Sequence, residues 1–139
     1  MPSNAPNSVA RPPFPNVVNA FNRRVEQHVL TMTGANGSVA LNTAMSSPGV
    51  TVTYVGEGNY SFTFPAGGTG AIGWVQICPP VVPGETVADV RMYALDSDIL
   101  NFATGAGRFV CVDGSATPAV SDVIGSLTLL INVIKPQDA

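Results

Sequence analysis

The sequence feature that most constrains the fold is a pair of alternating stretches joined by a glycine-rich turn, within residues 50–65. Over residues 50–54 apolar side chains alternate with threonines, and over residues 60–64 aromatic side chains alternate with serine and threonine. A period of two places successive side chains on opposite faces of a β-strand. The connecting residues Gly56-Glu-Gly-Asn59 tolerate positive φ, so the pattern predicts an antiparallel β-hairpin.

The rest of the chain predicts further short strands. A short helix over residues 16–22, with Asn16 as its N-cap, is compatible with the N-terminal sequence. Glycine or proline clusters separate the strands, and no segment shows a sustained 3.6-residue apolar repeat. This pattern predicts an all-β fold, either an antiparallel β-sandwich or a jelly-roll-like barrel. The last strand is apolar on both faces, which is typical of a central strand or of one covered by another subunit. The predicted strands are 25–33, 72–78, 88–94, 99–103, 108–112 and 123–134.

Residues 1–22 form a proline-rich arm, followed by a single β domain over residues 23–139. The five prolines of residues 1–22 favour an extended conformation, which would span about 70 Å at ~3.3 Å per residue. A frayed tail is one interpretation. We favour an arm bound to another protein, because a solvated linker has no use for the interspersed apolar residues. The predicted partner-binding residues are Arg11, Pro12, Pro13, Phe14, Pro15, Val17, Val18, Phe21, Arg23 and Arg24.

Charge is sparse and unevenly distributed. Only 11% of the residues are charged, against about 25% in an ordinary soluble domain. Either neighbouring subunits cover part of the surface, or the exposed surface consists mainly of serine, threonine, asparagine and glycine. Residues 1–25 contain three arginines and no acid, whereas the body is acidic, which suits docking on an acidic protein surface. With one lysine and no long apolar run, the chain is predicted to bind neither nucleic acid nor membrane, and its start does not resemble a signal peptide.

The residues needed for catalysis or metal binding are not assembled in the sequence, so we expect no enzyme, no cofactor and no metal. His28, the single histidine, lies in a predicted strand, and no GxSxG motif is present. Residues 68–73 match GxGxxG but lead into a strand instead of a helix. Asp96-Ser-Asp98 lacks the rest of a calcium loop. Cys78 and Cys111 are predicted to be buried free thiols, with a disulfide across a sheet as the alternative.

The aromatic residues allow a second kind of site. Trp74, Tyr54, Tyr60 and Tyr93 are candidates for stacking on sugars, as in many β-sandwich modules. Tyr54 and Tyr60 flank the hairpin turn and are equally suited to a cross-strand pair. Trp74 lies in an apolar strand and is predicted to belong to the core.

Two stretches resemble small β-domain virion proteins of tailed bacteriophages. They are the hairpin over residues 49–65 and the closing segment over residues 109–134, FVCVDGSATPAVSDVIGSLTLLINVI. Together with the preceding strand, the resemblance covers about residues 23–135. Such domains serve as capsid decoration (cement) proteins and as parts of tail fibres.

The arm is similar to the extended termini that cement proteins lay across neighbouring capsid subunits. The resemblance therefore implies a virion structural protein that binds the outer capsid surface through its arm and reinforces capsomer contacts. It implies synthesis in the host cytoplasm, the major capsid protein as partner, and self-association as a homotrimer or homodimer. The alternative is a receptor- or carbohydrate-binding domain of a phage tail fibre or adhesin.

Overall fold

A computed structural model of the chain describes residues 17–18, 24–79 and 90–136 and contains two antiparallel β-sheets packed face to face. Within these ranges there is no α-helix, and Thr43–Met45 forms one 3₁₀ turn. The strands are β1 (Val17–Val18), β2 (Arg24–Ala35), β3 (Ser38–Leu41), β4 (Thr51–Gly56), β5 (Asn59–Thr63), β6 (Ile72–Cys78), β7 (Arg91–Leu95), β8 (Ala106–Asp113) and β9 (Gly125–Lys135).

One sheet has five strands and the other four. The five-stranded sheet has the order β1-β2-β9-β6, and β3 pairs with β2 on the same side as β1. The four-stranded sheet has the order β4-β5-β8-β7. Of the two architectures expected from the sequence, the chain adopts the antiparallel β-sandwich. The last strand, β9, lies between β2 and β6, which explains why it is apolar on both faces.

The core lies between the sheets and draws on alternate residues of each strand. In β9 the inward side chains of residues 127, 129, 131 and 133 are all buried, and β2 contributes Leu30 and Met32. The four-stranded sheet contributes mainly aromatic rings, and the ring centroids of Tyr60 and Phe109 lie 5.0 Å apart. Burial of these side chains is the main favourable term in folding.

The predicted hairpin is confirmed, with Tyr54 opposite Tyr60 and their ring centroids 5.6 Å apart. The bounds of β6 are as predicted. The strand predicted over residues 99–103 is wrong, because these residues form turns in which the side chain of Asn101 accepts hydrogen bonds from two following backbone N–H groups. Strand β3 was not predicted, because its four residues alternate too briefly to stand out.

Hydroxyl groups cover the middle of the outer edge of β2. Ser46 Oγ accepts a hydrogen bond from the N–H of Thr31, and Ser47 Oγ accepts one from the N–H of Val29. Strands β1 and β3 pair with the two ends of β2. The edge is therefore protected from pairing with other chains along most of its length.

Candidate binding surfaces

The described part of the N-terminal arm is attached to the edge of the five-stranded sheet. Val17 pairs with Val25 and Val18 pairs with Arg24, in antiparallel register. The arm therefore has a fixed root at one end of β2. Of the predicted partner-binding residues, Val17, Val18 and Arg24 lie at this root. Arg11, Pro12, Pro13, Phe14, Pro15, Phe21 and Arg23 lie outside the described residues.

A charged cluster lies beside the arm root. Glu26 is within 3.1 Å of the Lys135 ammonium, 3.5 Å of the Arg24 guanidinium and 3.7 Å of His28 Nε2. The Arg24 side chain contacts Glu26 but remains 54% exposed. It is therefore still accessible to a partner. Burial lowers the pKa of His28 because it disfavours the imidazolium, and this effect outweighs the attraction of Glu26.

Trp74 lies on the outer face of the five-stranded sheet, so its predicted place in the core is wrong. The inward positions of β6 are Gly73, Val75 and Ile77, and the ring of Phe102 fills the space beside Gly73. Trp74 therefore points outward, and 46% of it is exposed. Because both faces of β6 carry apolar residues, alternation alone does not reveal which face turns inward.

Three side-chain amides form a row beside Trp74. Asn132, in the central strand β9, faces outward and yet is only 4% exposed. Its Oδ1 accepts a hydrogen bond of 2.9 Å from Gln27 Nε2 in β2, and its Nδ2 donates one of 3.3 Å to Gln76 Oε1 in β6. Asn132 Nδ2 also donates to the carbonyl of Leu130. The buried amide therefore fixes the orientation of both glutamines.

The outer face around this row carries no charge. The outward positions of β2 (25, 27, 29, 31 and 33), β9 (126, 128, 130, 132 and 134) and β6 (72, 74, 76 and 78) are all apolar or neutral polar. Such a face suits a neutral partner better than an ionic one, because ionic ligands are recognised by opposite charge.

The other aromatic candidates belong to the core. Tyr60 is fully buried, and Tyr54 and Tyr93 pack against the core. Of the aromatic side chains in the described ranges, Trp74 alone lies outside the core cluster. Both cysteines are free; Cys111 is buried as predicted, whereas Cys78 is exposed on the outer face of β6, which corrects that prediction.

The GxGxxG match begins in a turn, and Asp96-Ser-Asp98 lies in another. Residues 68–71 lead directly into β6, with Gly68 and Gly70 at positive φ, so no helix begins at the GxGxxG match. The Asp96 carboxylate accepts a hydrogen bond from the N–H of Asp98 within an exposed turn. In the described residues, no group of three or more potential metal ligands lies together.

Asp122 is a residue of structural importance that was not predicted from the sequence. The residue is 6% exposed, and its carboxylate accepts hydrogen bonds from the N–H of Gly37 (2.7 Å), the N–H of Gly58 (2.9 Å) and the Tyr54 hydroxyl (3.1 Å). It therefore joins two hairpin turns to the loop before β9. The single sequence signal is an acidic residue inside the apolar segment 119–124.

Comparison with known protein families, curated proteins and solved structures finds no match to this chain. No helix in the described residues has the length and apolar character needed to span a membrane.

Proposed function

We propose that this chain is a virion structural protein of a tailed bacteriophage that decorates the outer surface of the capsid. The observation that carries the proposal is the pairing of Val17–Val18 with the start of β2. This pairing gives the arm a fixed starting point on a rigid sandwich. The major capsid protein is the proposed partner, and the arm reinforces the contacts between capsomers.

The reach of the arm supports this role. The 16 residues before β1, when extended, span about 50 Å at ~3.3 Å per residue. This distance exceeds the diameter of a small domain and allows contact with more than one capsid subunit. Because the root is fixed, binding of the arm and binding of the sandwich reinforce each other through a high effective concentration.

The charges of the arm and its root suit an acidic partner. Residues 1–25 contain Arg11, Arg23 and Arg24 and no acidic residue, and the Arg24 side chain is half-exposed. Contacts between such charges and capsid carboxylates add mainly to the association rate and to specificity. The proposal includes self-association as a trimer or dimer, because the surface carries little charge to keep copies apart.

The test removes residues 1–16 and keeps β1, so that the sheet edge stays covered. Co-sedimentation with purified capsids should show loss of binding, while far-UV circular dichroism shows an unchanged β fold. A full-length chain with Ser8→Ala serves as the control and should bind normally. If the truncated chain still decorates capsids at the wild-type level, the arm does not mediate docking and the proposal fails.

Copy number separates a capsid role from a tail role. Quantitative mass spectrometry of purified virions should find this chain in hundreds of copies, in a fixed ratio to the major capsid protein. A few copies per virion would place it in a tail fibre and contradict the proposed location.

A further inference from the structure

We propose that the outer face of the five-stranded sheet binds a neutral carbohydrate at a site formed by Trp74, Gln27, Gln76, Leu130 and Asn132. We call these residues the amide–indole face. This activity would be separate from capsid docking through the arm.

The first reason is the exposure of the only tryptophan. The chain contains one tryptophan, and it points away from a core that holds the other described aromatic rings. The fold does not use this ring for packing between the sheets. An exposed indole beside polar groups is instead suited to a ligand that has both an apolar surface and hydrogen-bonding groups.

The second reason is that the polar groups beside Trp74 are held in place. Gln27 donates its Nε2 to Asn132, so its Oε1 is left to accept a hydrogen bond from a ligand. Gln76 accepts from Asn132 with its Oε1, so its Nε2 is left to donate. Asn132 is nearly fully buried between them. Fixed side chains lose less entropy when a ligand binds than mobile ones do.

The third reason concerns the ligand class. A donor and an acceptor fixed beside an aromatic ring complement a hydroxyl-rich ring, because each hydroxyl both donates and accepts. The outward residues of the three strands carry no charge, so the face favours neutral sugars over phosphates, sulfates or uronic acids.

Area favours a short oligosaccharide over a second copy of this chain. With strands about 4.8 Å apart and a rise of about 3.4 Å per residue, the whole outer face of β2, β9 and β6 covers roughly 500 Å². A stable protein interface needs about 800 Å² from each partner. The amide–indole face alone covers roughly 200 Å² by the same spacing, which suits a ligand of a few sugar rings.

Trp74 fluorescence provides a direct binding assay, because no other tryptophan contributes to the signal. We would titrate the full chain with neutral oligosaccharides built from glucose, galactose, mannose or N-acetylglucosamine. At least one should change the intensity or wavelength of emission in a saturable manner. A glycan array would then identify the preferred sugar and linkage.

Variants test the role of each group by isothermal titration calorimetry, which does not depend on tryptophan. Trp74→Ala should weaken binding by about tenfold or more, and Gln27→Ala with Gln76→Ala should do the same. Met92→Ala is the matched control. Met92 is 45% exposed on the outer face of the four-stranded sheet, and Trp74 is 46% exposed on the outer face of the five-stranded sheet. The control should bind with wild-type affinity, and circular dichroism should show that all variants fold.

Two outcomes would overturn the proposal. The first is that no neutral oligosaccharide binds in the titration or on the array. The second is that Trp74 emission shifts with protein concentration, together with dimer formation in analytical ultracentrifugation, and not with any sugar. That result would assign the face to a second copy. Neither outcome affects the capsid proposal, which depends on the truncation of residues 1–16.

Discussion

Replacing Asp122 with asparagine should destabilise the sandwich by about 2 kcal/mol at pH 7. The carboxylate accepts hydrogen bonds from the backbone N–H groups of Gly37 and Gly58 and from the Tyr54 hydroxyl. Asparagine has the same shape and leaves no cavity, but it turns an NH₂ group towards one of these donors. The substitution therefore removes about one charge-assisted hydrogen bond, which contributes roughly 1.5–3 kcal/mol.

The same substitution should reduce the sensitivity of the fold to acid. Burial by itself raises the pKa of Asp122, but the N–H groups of Gly58 and Gly37 and the Tyr54 hydroxyl outweigh it, so the pKa lies below its usual range. As the pH falls, the carboxylate of Asp122 is therefore protonated in the unfolded chain at a higher pH than in the folded chain. The contribution of Asp122 is complete above the unfolded pKa of about 3.9, and it is lost as the pH falls through the lowered folded pKa.

Urea unfolding followed by far-UV circular dichroism, repeated at pH 7, 5, 4 and 3, measures both effects. Asp98→Asn, in an exposed turn, is the control and should change stability by less than about 0.5 kcal/mol. Some acid sensitivity should remain in the Asp122 variant, because the Ser115 hydroxyl and the Ala119 N–H also lower the pKa of Asp113. Equal unfolding midpoints for the Asp122 variant and the wild type at pH 7 would refute the proposed role. An unchanged dependence of stability on pH would refute the assigned direction of the pKa.

Three further predictions concern other parts of the structure. Tyr60→Phe should cost about 1–2 kcal/mol in urea unfolding, because it removes the acceptor of a buried backbone N–H; an unchanged midpoint would contradict that hydrogen bond. Gly105→Ala should cost about 1–3 kcal/mol or prevent folding, because Gly105 has a φ of 82° and an added Cβ would overlap the carbonyl oxygen of Phe64; a thermal midpoint equal to that of the wild type would exclude this strain. A thiol reagent should modify Cys78 quickly in the folded protein, and Cys111 only after unfolding, because burial raises the pKa of Cys111 to about 11; two fast-reacting thiols in the native protein would contradict the burial of Cys111.

Local patterns predicted the parts of the fold that depend on neighbouring residues. The hairpin with Tyr54 opposite Tyr60 follows from period-two alternation around a turn that tolerates positive φ. The bounds of β6 follow from apolar residues between glycine and proline. The strand predicted over residues 99–103 failed because Asn101 holds turns there through its side chain. The pattern of apolar residues does not show where side-chain hydrogen bonds replace the hydrogen bonds between strands.

The sequence by itself determined that this protein is an all-β domain, because alternation and turn residues act over a few positions at a time. The tertiary structure alone decided which side of β6 faces outward, and thereby that Trp74 is exposed. It also brought Gln27 to Asn132, which is 105 residues away along the chain, and Asp122 to two hairpin turns. All of these contacts depend on the register between distant strands. Burial of the whole core fixes that register, and no local sequence pattern predicts it.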